Sequence, residues 1–441
     1  GRASYSYDDR YFFTGSYRRD GASVFGVNQK WGDFFAFGGA WRLSSEKFMS
    51  SISYLDDLKL KVSWGKNGNQ GLDPYGTLST INNGASGGVR YEFGGSDIIY
   101  GLNQKALGNA NLGWETTESW NTGFESAWLG SRLFVDLDLY FSKTTDQIFT
   151  RDIPVMTGFK NMKSSMGQVN NRGVELTIRS VNINTQDWYW TTNLTFWLNR
   201  NKLVHLYGED LNGDGKEDDD ISNSRFIGKP LGAIYGYQQD GIVQETDIEY
   251  MKANGATPGI PKYKDMDNDG VITSADRVIL GYSTPNFKLN MSNTITYKNW
   301  DLYFMLTGTF GGGGYYQKSN KGAYLTNGSG RFNTNGIYIP WWTPENKSNE
   351  YPAATFNDDG GRFLGLQNRA FVRLQDVTLS YTFREPWVQK VNIQNLKVFF
   401  TAKNLFTITK WQGGDPEVGV TVSENTYPVL TSFSLGANIS F

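Results

Sequence analysis

The residues with the clearest chemistry run Asp265-Met266-Asp267-Asn268-Asp269-Gly270-Val271-Ile272-Thr273-Ser274-Ala275-Asp276. Oxygen donors fall at the first, third, fifth, seventh, ninth and twelfth positions, the spacing that wraps a calcium ion in an EF-hand loop. Asp265, Asp267 and Asp269 would supply carboxylates, and Gly270 would permit the sharp turn. Val271 would offer its carbonyl, Thr273 a direct or water-mediated contact, and Asp276 the closing carboxylate, with Ile272 packed beneath. Asp in place of Glu at the last position shortens the reach and weakens bidentate closure and the exclusion of magnesium. The alternative is an acidic, solvated turn. Against it, three carboxylates this close repel one another without a cation.

A second run, Asp210-Leu211-Asn212-Gly213-Asp214-Gly215-Lys216-Glu217-Asp218-Asp219-Asp220-Ile221, repeats the pattern less well. Asp210, Asn212, Asp214 and Asp218 are its candidate ligands. Ile221 stands at the closing position, so Asp219 or Asp220 is the expected substitute. Both runs lie within one long polar segment, 203–285. Extracellular calcium modules bind at about 10⁻⁴ to 10⁻³ M, so calcium here is expected to be structural.

Loop aromatics Tyr315, Tyr316, Trp341, Trp342 and Trp411 are candidates for stacking on a sugar ring or peptide, the competing reading being an interfacial aromatic girdle. Enzymatic signals are poor. His205 is the sole histidine and has no triad or zinc cluster around it. Carboxylate pairs in acidic loops are too common to suggest glycosidase chemistry. Gly311-Gly312-Gly313-Gly314 lacks the Lys-Ser/Thr and helix of a phosphate loop. No catalytic residue is assigned. Arg18, Arg19, Arg179 and Arg373 are expected on lumen faces or strand ends, where charge tunes selectivity.

The elements that position these loops show in the last twelve residues. Phe433, Leu435, Ala437, Ile439 and Phe441 share one strand face, and Ser432, Ser434, Gly436, Asn438 and Ser440 the other. Similar alternation covers 131–141, 187–198, 286–297 and 300–306. About 13 such segments of about 10 to 16 residues are present, whereas a soluble strand averages about 5 to 6 and a tilted membrane strand needs about 9 to 11. Connections alternate between short (129–131, 182–187, 297–300) and long (65–111, 146–171, 203–285, 311–366, 405–429), with 44–57 and 384–393 intermediate. Outer-membrane barrels have short periplasmic turns and long extracellular loops. The predicted fold is all-β: a transmembrane antiparallel β-barrel with long extracellular loops. A 13-stranded sheet open in lipid would strand two edges of backbone polar groups, so a further segment is expected to complete it.

Composition agrees. The chain has 441 residues, no cysteine, a net charge of −2, 51 glycines and 67 aromatic residues (Trp 14, Tyr 25, Phe 28). The missing cysteines exclude disulfides and thiolate metal sites, and the charge argues against nucleic acid. A mean hydropathy of −0.48 does not argue against a barrel, because only alternate residues face lipid. No apolar run approaches the ~18 residues of a transmembrane helix. The chain is strand-like from Gly1-Arg2-Ala3-Ser4-Tyr5-Ser6-Tyr7 with no signal peptide before it, so a longer polypeptide is expected.

Several motifs then resemble the SusC/RagA-type TonB-dependent transporters of Bacteroidetes. They are Tyr11-Phe12-Phe13 with Ser16-Tyr17-Arg18-Arg19-Asp20-Gly21-Ala22-Ser23, Trp31-Gly32-Asp33-Phe34-Phe35, Ala40-Trp41-Arg42, and 58–70. Trp342-Thr343-Pro344-Glu345-Asn346, Tyr351-Pro352, 371–381, Asn404-Leu405-Phe406, Gly414-Asp415-Pro416-Glu417, Tyr427-Pro428 and Phe441 follow in order. The resemblance covers essentially the whole chain as the C-terminal part of that family's barrel, with 203–285 as an extracellular loop inside it. It implies a plugged barrel of about 22 strands, about nine of them outside this chain, in the bacterial outer membrane. It also implies coupling to TonB through a missing N-terminal region and a SusD-like surface lipoprotein as cap. The implied function is active import of a nutrient, an oligosaccharide or peptide. Calcium would then order the 203–285 loop for the cap. The alternatives are a surface adhesion or secretion scaffold that moves no nutrient, and a soluble calcium-dependent carbohydrate-binding β protein.

Overall fold

The computed structural model describes all residues except 27, 84–89, 93–97, 160, 316–339, 354–355, 357–365, 385–386, 389–392, 412–414 and 418–428. Thirteen strands form one sheet whose order follows the chain. They are Arg2–Tyr7, Tyr11–Gly21, Trp31–Arg42, Leu55–Asn69, Glu115–Trp128, Leu133–Asp152, Asn161–Asn184, Trp188–His205, Phe287–Tyr297, Trp300–Phe310, Phe371–Phe383, Asn395–Thr409 and Ser432–Ser440. The chain divides into two compact units, Gly1–Ile178 with Asn199–Leu231, and Arg179–Leu198 with Gly232–Phe441.

The connections keep the expected parity. Tight turns join Tyr7 to Tyr11, Trp128 to Leu133, Asn184 to Trp188 and Tyr297 to Trp300, while long segments occupy 70–114, 206–286, 311–370 and 410–431. At one tight turn Leu129, Gly130 and Ser131 all have positive φ. The Ser131 amide there donates to the Asp56 carboxylate at 2.8 Å. One expectation is corrected. The region 146–171 is not a long loop, because strands extend to Asp152 and resume at Asn161. Asp146 at φ 57° marks an irregularity that the ladder passes through.

Period-2 alternation places apolar side chains in rows across the sheet. In the first unit Phe37, Trp64, Trp120 and Phe141 stand opposite one another on four adjacent strands. Phe37 and Trp64 stack at 6.0 Å. In the second unit Trp188 pairs with Tyr297, Tyr297 with Trp300, and Trp300 with Tyr381. The last strand sets Phe433, Leu435, Ala437 and Ile439 against Ala402, Phe400, Val398 and Leu396. These faces are open: Phe37 is 56% exposed, Leu435 77% and Phe433 61%. Long, contiguous apolar strand faces left uncovered are what a lipid-facing barrel wall requires. No helix among the described residues is long and apolar enough to cross a membrane.

The opposite face is polar. Lys61 Nζ donates to Asp136 at 2.7 Å and Asp138 at 2.8 Å, and Lys59 pairs with Glu125 at 2.5 Å. The buried apolar clusters lie towards the long connections. One joins Phe149, Val169, Leu203 and Leu206; another Phe25, Leu72 and Leu112; a third Ile242 and Trp342. Within 232–286 the chain forms two small sheets, Ala233–Tyr237 with Arg277–Tyr282 and Gln239–Ile242 with Pro261–Tyr263, and a short helix, Ile248–Asn254. They hold the first acidic loop.

Candidate metal centre in the acidic loops

The Asp265–Asp276 loop hangs between the strand Pro261–Tyr263 and the strand Arg277–Tyr282. Its carboxylates fold it. Asp265 Oδ1 accepts the amide of Asn268 at 2.6 Å and Oδ2 that of Gly270 at 2.7 Å. Asp267 accepts from Asp269 at 3.2 Å, and Asp269 from Val271 at 2.8 Å. Gly270 has φ 89° and Asn268 φ 61°, the left-handed backbone that the turn needs. Asp276 is fully buried. Its two oxygens accept the amides of Met266 and Thr273, both at 2.7 Å, which ties the start of the loop to its end. Thr273 completes a capping box over the turn Ser274–Asp276. Asn254, at the end of the short helix, accepts the Ile272 amide at 2.6 Å.

One ligand oxygen each from Asp265, Asp267 and Asp269 lies within 4.8 Å of the others. Oxygens bound to one calcium at 2.3–2.6 Å can stand at most about 5 Å apart, so this donor set fits a hard cation. Each carboxylate has about four acceptor positions, and one or two go to loop amides. The charges are in tension. The Asp269 amide holds the Asp267 carboxyl down, but desolvation and the charges of Asp269 and Asp276 outweigh it, and the net direction is up. The amides of Thr273 and Met266 hold Asp276 below the usual carboxylate range.

The Asp210–Ile221 loop shares the backbone pattern. Asp210 accepts the amides of Gly213 at 2.8 Å and Gly215 at 2.9 Å, Asn212 that of Asp214 at 2.8 Å, and Asp214 that of Lys216 at 2.8 Å. It closes differently. Asp218 accepts the Leu211 amide at 2.6 Å, the role Asp276 plays at Met266. Asp219 and Asp220, the expected substitutes, are committed elsewhere. Asp219 accepts the Ile227 amide at 2.6 Å, and Asp220 pairs with Arg225 at 3.1 Å and with the Tyr207 hydroxyl at 3.1 Å. Ile221 is exposed. Among the described residues, no acidic triad here converges as Asp265, Asp267 and Asp269 do.

Glu217 was missed by position counting, because no ligand slot falls on it. One oxygen accepts the amides of Leu206, Tyr207 and Gly208 at 2.7, 2.6 and 2.7 Å, and the other meets His205 Nδ1 at 2.6 Å. Burial pushes this carboxyl up, but the amides of Gly208 and Leu206 and the His205 contact outweigh it and hold it low.

The aromatic candidates separate. Trp342 is buried with Ile242, and its Nε1 donates to Gln244 at 2.9 Å. Trp411 is buried, and its amide donates to Thr409 at 3.0 Å. Trp341 is half-buried, its carbonyl accepting from Asn346 at 2.6 Å. Tyr315 ends the short strand Gly313–Tyr315, while its side chain and the whole of Tyr316 lie outside the described residues. Arg373, expected to tune selectivity, is buried against Asp415 at 2.7 Å, Glu417 and Thr407.

Comparison with known proteins places this sheet and its loops. Residues 1–405 match the family model described as TonB dependent receptor-like, beta-barrel. The chain is similar to TonB-dependent receptor SusC of Bacteroides thetaiotaomicron, 30% identical over 457 residues, covering 100% of this chain and 43% of SusC. It is similar to TonB-dependent receptor P3 of Formosa agariphila, 29% identical, covering 100% of this chain and 45% of that receptor. The fold matches the RagAB peptide transporter with a TM-score of 0.80 at 24% identity, covering 100% of this chain and 46% of that one. The chain thus spans less than half the length of these relatives.

Proposed function

The chain belongs to the TonB-dependent receptor-like β-barrel family of the outer membrane, and on that premise we propose that it forms the C-terminal wall and outer loops of an active importer of SusC/RagA type. The carrying observation is the thirteen-stranded sheet in chain order with long segments on alternate connections. Its uncovered apolar face supports the same reading. The cargo is an oligosaccharide or a peptide, and the fold match to a peptide transporter supports the second. A SusD-like surface lipoprotein caps the loops, and TonB supplies energy through a region outside this chain. The protein is not an enzyme in this reading.

Calcium is structural in the same reading. Asp265, Asp267, Asp269, the Val271 carbonyl, Thr273 and Asp276 hold it in one loop, and Asp210, Asn212, Asp214 and Asp218 in the other. It supplies positive charge where acidic side chains crowd. The order it brings to the loops serves the cap.

The test is uptake of labelled oligopeptides and oligosaccharides by cells expressing the full-length protein, with and without functional TonB. TonB-dependent uptake supports import. Correct surface assembly without any uptake would sink it and favour an adhesion or secretion scaffold. Deleting 206–285 is expected to abolish co-purification of the cap lipoprotein while the barrel still assembles.

A further inference from the structure

A charged rung stands just beyond the aromatic row of the first unit, on the same bilayer-facing side. Trp64, Trp120 and Phe141 are opposed across three strands. Two residues further along each strand, towards the long connections, the register opposes Lys66, Glu118 and Lys143. Trp64 Nε1 donates to Glu118 Oε1 at 2.7 Å, which fixes Glu118 on the side of the tryptophans. Adjacent strands lie about 4.8 Å apart, so the two lysines are about 10 Å apart on their own strands.

Lysines on the other face are neutralised: Lys59 by Glu125, Lys61 by Asp136 and Asp138. The side chains of Lys66 and Lys143 make no ion pair or hydrogen bond among the described residues. Both are half-buried, as expected of stems laid along an apolar wall with the ammonium groups reaching towards water. Glu118 opposes both, but one of its oxygens is committed to Trp64. With two lysines against one glutamate the rung carries net positive charge, immediately above aromatic rings of the kind that mark a membrane interface.

We propose that Lys66 and Lys143 grip the phosphate of an anionic lipid headgroup in the membrane leaflet at the long-connection end. The aromatic row packs the upper acyl chains. Two lysines whose backbones stand about 10 Å apart, each with its ammonium on a flexible four-carbon stem, can converge on one phosphate. The occupant is a lipid rather than a soluble anion, because the rung continues an apolar strand face.

The test is native mass spectrometry of the full-length protein in detergent, titrated with a phosphorylated membrane lipid and with its dephosphorylated counterpart. The wild type should retain the phosphorylated form selectively. Lys66→Gln and Lys143→Gln should each lower retention about fivefold and the double variant about thirtyfold, at about 1 kcal/mol per basic side chain. Lys66→Arg with Lys143→Arg should restore it, which separates charge from any change in folding. Equal retention of the two lipids, or undiminished binding by the double glutamine variant, would overturn the proposal. So would protection of both amines from acylation in delipidated protein, which would put a protein partner on this rung.

Discussion

Two acidic loops with nearly the same sequence pattern do different work with their carboxylates. In 265–276 the first, third and fifth residues accept amides while keeping three ligand oxygens within 4.8 Å. The closing carboxylate, Asp276, is buried and bonds both ends of the loop. In 210–221 the same amide pattern recurs, but Asp218 makes the closure, and Glu217 turns away to hold the chain at 205–208. Ligand spacing records which residues can donate oxygens. It does not record which of them are already occupied.

The largest effect that sharpens this contrast is Asp276→Ala. Loss of the closing carboxylate, which also bonds both ends of the loop, should lower metal affinity by at least about tenfold to a hundredfold, and the 210–221 loop should be unchanged. Calcium titration calorimetry on the full-length variant reads both loops. An equal loss at both would mean that they share one fold and one site.

Glu217→Gln should be next. Removing the charge from a group that accepts three amides weakens charge-assisted bonds by about 2 kcal/mol, or about thirtyfold in local opening. Hydrogen exchange at Leu206, Tyr207 and Gly208 measures it, with 265–276 as the internal control. The pH dependence has a definite sign. The native Glu217 carboxyl lies below its ordinary value, so its stabilisation is complete above the unfolded value and disappears as pH falls through the lower native one. Protection of these three amides, relative to their intrinsic exchange rates, should therefore persist through mildly acidic pH and fall only below the ordinary glutamate range. Loss of protection at neutral pH would mean that a group other than Glu217 governs the contact.

Asp218→Asn should cost less, about tenfold in any calcium affinity of its loop, because one charge-assisted bond to Leu211 weakens. The smallest effect is expected from Ile221→Asp, which restores the formal closing residue. Under about twofold change is expected, since position 221 is exposed and Asp218 already closes the loop. A tenfold gain would show that the sequence pattern, rather than the observed closure, governs this loop.

Much of the wall was legible in the sequence because its signal is local. Alternation in 131–141 or 432–440 needs only neighbouring residues, and turn chemistry at 129–131 needs only three. The stretch 146–171 reads as a loop by its place between two alternating segments, whereas one strand runs on to Asp152 and the next begins at Asn161. The aromatic candidates divided on burial. Trp342 packs against Ile242, a hundred positions away, and no local pattern reports that.

The sequence by itself determined the strand periodicity, the apolar face of each strand, the alternation of connection lengths and the presence of two acidic loops. Each follows from residue type within a few positions. Tertiary structure alone decided that Asp218 closes the second loop, that Glu217 secures the root, and that Lys66 and Lys143 share a rung. Those outcomes rest on backbone amides several residues away around each turn, and on a cross-strand register joining residues more than fifty positions apart. Such contacts exist only once the chain has paired.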